Sequence, residues 1–142
     1  SGIDNNAQML KVARSNLAAR EHITVRQGDL HAAPLKDGAA DLVSLHQVLH
    51  YLDDPSQAIA EAARLLRPSG QLLIVDYEDH DQDEFRSEFA HRRLGFTDED
   101  IRMWLSRAGL ALMQVATIAT QDNRPDVRIW IAAERAQARR EA

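Results

Sequence analysis

Four consecutive apolar residues, Leu72-Leu73-Ile74-Val75, constrain the fold of this chain more than any other feature. An unbroken apolar run of this length suits a parallel strand covered on both faces, because a strand with one wet face would alternate. A strand over Gln71 to Tyr77 is therefore expected near the centre of a sheet. Ahead of it, Pro68-Ser69-Gly70 closes a helix expected over Pro55 to Leu66. That helix opens with Pro55 in its first turn and with Asp53 or Asp54 as its cap.

The same alternation extends along the chain. Gly2-Ile3-Asp4 reads as the end of a strand, followed by a helical pattern from Asn5 to about Arg20 with Ala7, Leu10, Val12, Ala13 and Leu17 mostly on one face. Ile23 to Arg26 reads as a short strand ended by Gln27-Gly28-Asp29, and Asp41 to Leu45 as another. Beyond the acidic stretch from Glu78 to Glu84, two helices are expected, Glu84 to Arg93 and Asp98 to Ala108. Thr97 opens the second and Gly109 ends it. Leu110 to Ile118 and Val127 to Glu134 flank a polar turn whose Asn123-Arg124-Pro125-Asp126 suggests an antiparallel hairpin. Strand and helix thus alternate before a terminal hairpin, the pattern of a doubly wound α/β sheet.

Composition narrows the function classes. Of 142 residues, 17 are basic and 22 acidic, for a formal charge of -5. The chain thus lacks the positive footprint that phosphate-backbone binding requires, and no nucleic-acid partner is expected. It has no cysteine, which removes disulfides, thiolate metal sites and cysteine nucleophiles and fits a reducing compartment such as the cytoplasm. No apolar run approaches a membrane span or a signal peptide, so no membrane partner is expected.

In open parallel sheets ligands bind just outside the carboxyl ends of the strands. The residues there are Asp4, Gly28-Asp29, His46-Gln47 and Asp76-Tyr77. Asp4 can accept two hydrogen bonds from ribose hydroxyls through its two oxygens, or it can cap the helix that follows. Asp29 can accept from an adenine amino group, or it can serve as an ordinary turn aspartate.

The run DLVSLHQVLHYLDDPSQAIAEAARLLRPSGQLLIVDY from Asp41 to Tyr77 resembles the second half of class I S-adenosylmethionine-dependent methyltransferase domains of the small-molecule type. The matching pieces are the strand followed by Val-Leu-His, the Asp-Pro helix start, and Arg-Leu-Leu-Arg-Pro-x-Gly leading into a buried strand. GIDNNAQML from Gly2 resembles the family's second strand end, and VRQGDL from Val25 its third. The resemblance implies an incomplete Rossmann-like methyltransferase sheet over 1–134, mostly parallel with a C-terminal antiparallel hairpin, followed by a charged tail from 135. It also implies that Asp4 holds the cofactor ribose with Asn5 and Met9 along that edge. Gly28, Asp29 and Leu30 would frame the adenine, and His46 and Gln47 would border the sulfonium end. His46 and His50 are the candidate bases for removing an acceptor proton.

The chain departs from the family in one respect. The glycine-rich loop that receives the cofactor's methionine end belongs about twenty residues ahead of Asp4, and no Gly-x-Gly occurs in this sequence. The family's first strand, between the second and fourth, is expected to be absent with it. Little S-adenosylmethionine or S-adenosylhomocysteine should bind tightly to this chain alone, and the bare sheet edge should drive self-association. DEFRSEFAHRRLGFTDEDIRMWLSRAGL further resembles methyltransferase domains carried behind an arsenic-repressor-type winged helix, so a cofactor-sensing regulatory domain is an alternative to an enzyme acting on a small-molecule acceptor. A nicotinamide-dependent dehydrogenase is a second alternative, against which the terminal hairpin speaks.

Other signals point to no site. His46 and His50 stand four apart as in zinc proteases, but Gln47 occupies the place of the glutamate base, and no metal is expected. Asp79, His80, Asp81 and Asp83 lack the spacing and glycine of a calcium loop. His91, Arg92 and Arg93 could meet an anionic acceptor or simply form a charged helix face. Arsenite is disfavoured as an acceptor because no thiolate is available to hold it.

Overall fold

The computed structural model describes residues 1–79, 95–121 and 124–135. They fall into two compact units, residues 1–36 and residues from Asp37 onward.

The first unit is a parallel strand pair with its crossover helix. β1 (Gly2–Asp4) pairs with β2 (Val25–Gln27), Gly2 opposite Val25 and Asp4 opposite Gln27, and α1 (Ala7–Leu17) connects them. The helix starts two residues later than its apolar pattern suggested, because Asn6 caps it. The Asn6 side-chain oxygen accepts from the amides of Gln8 at 2.9 Å and Met9 at 3.2 Å. It also stops at Leu17, short of Arg20. The Ile23 amide is taken up by the Arg20 carbonyl at 3.0 Å, so Ile23 belongs to a turn and the strand begins at Val25.

The second unit holds β3 (Ala40–His46), a 3-10 turn (Leu49–Tyr51), α2 (Pro55–Leu65), β4 (Leu66–Tyr77), α3 (Asp98–Arg107), β5 (Leu110–Ile118) and β6 (Val127–Glu134). The sheet order is β3-β4-β6-β5. β3 and β4 are parallel, whereas β6 runs antiparallel to both β4 and β5. The expected parallel strands and C-terminal antiparallel hairpin are both present, and the four-stranded sheet is mixed because β6 lies against β4 as well as β5. Both hairpin strands have the expected bounds.

β4 is longer than its apolar run. α2 ends at Leu65, one residue short of its expected end, and Pro68-Ser69-Gly70, expected to close the helix, lies inside the span of β4 instead. Leu66 pairs with Ala40 and Gln71 with Leu42, so the residues between form an irregularity in the ladder. Proline is tolerated there because the ladder is already interrupted. Pro55 begins α2, and Asp54, not Asp53, caps it by accepting from the Gln57 amide at 3.4 Å.

The core of this unit lies on one face of the sheet. Leu45, Leu72, Ile74, Trp130 and Ala132 meet Ala58, Ile59 and Ala62 of α2 and Ile101, Trp104 and Leu105 of α3. The pairing sets this face: Leu72 lies opposite Ala132, and Ile74 between Leu45 and Trp130. Leu73, Ile129 and Ile131 point the other way and are half-buried. On that second face Val75 and Ala133 are buried while Leu73 is half-buried, so the apolar run is covered completely on one face and in part on the other among the described residues. Trp104 and Trp130 are both buried.

The approach to α3 is fixed by backbone geometry. Gly95 has φ 125°, and a Cβ there would overlap the Glu78 carbonyl. Only glycine fits this position. Thr97 then caps α3 by accepting from the Asp100 amide at 3.1 Å. The guanidinium of Arg128 joins Glu78 at 2.6 Å and Asp98 at 3.2 Å, and Trp130 donates its indole N–H to Asp98 at 2.8 Å. The helix expected over 84–93, and with it His80, Asp81, Asp83, His91, Arg92, Arg93 and Asn123, lies outside the described residues, as does the tail beyond 135.

Candidate functional site

In the first unit, the parallel pairing of β1 with β2 brings Asp4 and Gly28 together at the strand ends. The ladder continues one residue past β2, with the Gly28 amide donating to the Asp4 carbonyl at 3.0 Å. Gly28 is packed tightly enough that a Cβ would stand 2.8 Å from Pro34 Cδ and 3.1 Å from Ile3 Cγ2. Asp4 does not cap α1. Its Oδ1 accepts from the Asn6 amide at 2.8 Å, while Asn6 itself caps the helix. Oδ2 of Asp4 has no partner among the described residues. Asn5 is exposed, its carbonyl accepting from Gln27 Nε2 at 3.3 Å, and Met9 is 57% exposed on the first turn of α1.

Asp29 forms a turn of its own. Its Oδ1 accepts from the His31 backbone amide at 2.8 Å and meets His31 Nδ1 at 2.9 Å, while the Ala32 amide bonds to the Asp29 carbonyl. The His31 amide, and then the His31 ring, hold the Asp29 carboxyl below the usual aspartate range. Leu30, beside it, is half-buried.

In the second unit, the loop after β3 turns sharply. Gln47 adopts φ 52°, and its amide donates to the Val75 carbonyl at 2.7 Å. His46 is exposed and Gln47 half-buried, whereas His50 is 1% exposed. His50 lies in the 3-10 turn and not in the helix that follows. Its Nδ1 stands 2.6 Å from Oδ1 of Asp76, which is fully buried at the end of β4. Asp76 also accepts from the Leu49 amide through Oδ2 at 3.1 Å and from the Tyr77 amide through Oδ1 at 2.9 Å. Tyr51 and Tyr77 flank the His50 ring, with centroids 4.1 and 5.1 Å away. Burial, then the charge of Asp76, pushes the Tyr77 hydroxyl above its ordinary value.

Sequence reasoning placed Asp76 at a strand end but gave it no role. The available signal was an aspartate closing an otherwise apolar strand, where a buried carboxylate needs donors to offset its burial. Among the described residues no three histidine, aspartate or glutamate side chains converge to hold a metal, and no helix is long and apolar enough to cross a membrane.

Residues 1–74 match the family described as methyltransferase domain. The chain belongs to the class I S-adenosylmethionine-dependent methyltransferase family. A 37.1 kDa protein encoded in a Streptomyces fradiae transposon is 39% identical over 87 residues, covering 55% of this chain and 25% of that protein. The demethylmenaquinone methyltransferase of Lactiplantibacillus plantarum is 32% identical over 84 residues, covering 57% of this chain and 35% of the enzyme. The chain thus spans between a quarter and about a third of these relatives. The fold is that of a SAM-dependent methyltransferase of Thermotoga maritima, with a TM-score of 0.78 and 19% identity over 94% of this chain and 72% of the other. Methyltransferase relatives favour neither the regulatory-domain reading nor the dehydrogenase reading.

The Asp29 turn yields a test by carboxyl NMR titration. The depressed value means that the interaction with His31 contributes stability above the unfolded aspartate pKa, near 4, and loses it as pH falls through the folded value. His31→Ala should move the Asp29 midpoint upward only part of the way, because the backbone donor remains. An unmoved midpoint would remove the imidazole from the account.

Proposed function

We propose that the protein containing this chain transfers a methyl group from S-adenosylmethionine to a small-molecule acceptor, releasing S-adenosylhomocysteine. Asp4 accepts from the ribose hydroxyls, with Asn5 and Met9 along the same edge. Gly28, Asp29 and Leu30 frame the adenine, and His46 and Gln47 border the sulfonium end. The observation that carries this reading is the division of labour at the start of α1. Asn6 caps the helix, so the Asp4 carboxylate keeps Oδ2 without a partner among the described residues at the end of a parallel strand. Asp29 likewise has Oδ1 taken by His31, and Oδ2 is the oxygen left for an amino group.

S-adenosylmethionine supplies an electrophilic methyl group on a sulfonium, and the chain's residues contribute position more than covalent chemistry. His46, exposed at the end of β3, is the better candidate than buried His50 for taking a proton from the acceptor. The parent's location is proposed to be the reducing cytoplasm, on the ground of cysteine-free composition. Strands β1 and β3 each pair with one strand among the described residues, and Leu42 on β3 is 58% exposed. We propose that these edges drive self-association of the chain. Sedimentation velocity should then show mass rising with concentration, and a monomer at every concentration would exclude it.

Calorimetric titration of S-adenosylhomocysteine tests the site. A version carrying the family's glycine-rich loop ahead of Ser1 should bind, and this chain alone should bind weakly. Asp4→Asn in the binding version should weaken affinity roughly ten- to a hundredfold, the worth of charge-assisted hydrogen bonds. Binding by neither protein, or unchanged binding by Asp4→Asn, would defeat the assignment of the ribose site. Radiolabelled methyl transfer to any acceptor separates an enzyme from a domain that only binds.

A further inference from the structure

We propose that Asp76 is the positioning residue of the loop after β3, holding Gln47 to Tyr51 pre-formed before cofactor arrives; the proposal rests on the methyltransferase reading above. A carboxylate buried to 0% exposure at the end of a core strand is costly, and an apolar side chain would pack there without that cost. Three donors offset its burial here: the Leu49 amide on Oδ2, and His50 Nδ1 and the Tyr77 amide on Oδ1. Tyr77 is the neighbour of Asp76 in β4, but Leu49 and His50 lie 27 and 26 residues away and both belong to the turn after β3. The carboxylate therefore ties the end of one parallel strand to the loop leaving the other.

The loop needs such a tie. Gln47 sits at φ 52°, a conformation that non-glycine residues adopt at a cost and keep only when the surroundings enforce it. Two contacts on β4 enforce it, the Val75 carbonyl holding the Gln47 amide and Asp76 holding the two residues that follow Val48. Because both carboxylate oxygens already accept from backbone amides, the ring of His50 meets Asp76 as a donor, which places the proton on Nδ1 and fixes the ring's orientation between Tyr51 and Tyr77. His46 and Gln47, the residues proposed for the sulfonium end, lie at the start of the loop that these contacts hold. A site held within a fraction of an ångström by such a second contact loses little on binding.

The test is Asp76→Asn in the full-length protein, read by amide hydrogen exchange and by S-adenosylhomocysteine affinity. Asparagine keeps the shape but offers one acceptor oxygen and one NH2, so one end of the side chain must face an N–H with an N–H. The expected result is at least about tenfold faster exchange of the Leu49 amide, unchanged protection of the Ile74 amide in the core, and about tenfold weaker binding. Unchanged Leu49 exchange would overturn the proposal, as would faster exchange with unchanged affinity, which would make the clamp a matter of stability alone. A wild-type protein that binds no S-adenosylhomocysteine would defeat the methyltransferase reading and with it the positioning role, while Leu49 exchange would still judge the clamp by itself. If the variant does not fold, the wild-type protein decides. The His50 Nδ1 proton should give a downfield, exchange-protected resonance with and without ligand, and its appearance only on ligand addition would overturn pre-formation.

Discussion

A parallel strand pair cannot be closed by a tight turn, and the rest of this structure follows from that constraint. The pairing of β3 with β4, His46 opposite Val75, obliges the chain to return through α2 and brings both strand ends to the same side. The pairing of β1 with β2 does the same for Asp4 and Gly28. In each unit the polar residues are thereby gathered where the ladders stop, and the carbonyls and amides released there are used at once. Gly28 donates to Asp4, and Gln47 donates to Val75. In each unit the candidate residues are set by strand direction before they are set by any one side chain.

Much of the architecture was legible because hydrophobic periodicity and punctuation agree. Leu110–Ile118 and Val127–Glu134 are apolar stretches closed by polar turns, and they form strands with those bounds. Pro55 and Asp54 mark the start of α2, and Thr97 that of α3. The misplacements occur where a local hydrogen bond outweighs the pattern. Asn6 takes the cap that periodicity would assign further upstream, and a turn closed by Arg20 claims Ile23. Pro68-Ser69-Gly70 reads as a break, yet the span of β4 continues through it, because a parallel strand can carry an irregularity where its neighbour does not require every residue.

The candidate residues at the strand ends could be named from sequence position, and their long-range contacts could not. Asp4 and Asp29 could be singled out from position, but only the structure separates their duties, with Asn6 capping the helix and His31 occupying one oxygen of Asp29. The tie between His50 and Asp76 joins residues 26 apart through the parallel register, which no local pattern encodes. In sequence, His50 stands beside His46 as an equivalent candidate base. In the fold they differ sharply, one exposed at a strand end and the other enclosed between two tyrosines and a carboxylate.

The central claim is that the carboxyl ends of β1 and β2 form the nucleoside half of a methyl-donor site. The most direct measurement is a crystal structure of the full-length protein with S-adenosylhomocysteine. The account predicts both ribose hydroxyls within hydrogen-bonding distance of the Asp4 carboxylate and the adenine beside Gly28, Asp29 and Leu30. A nucleoside bound elsewhere, with Asp4 facing solvent, would contradict it.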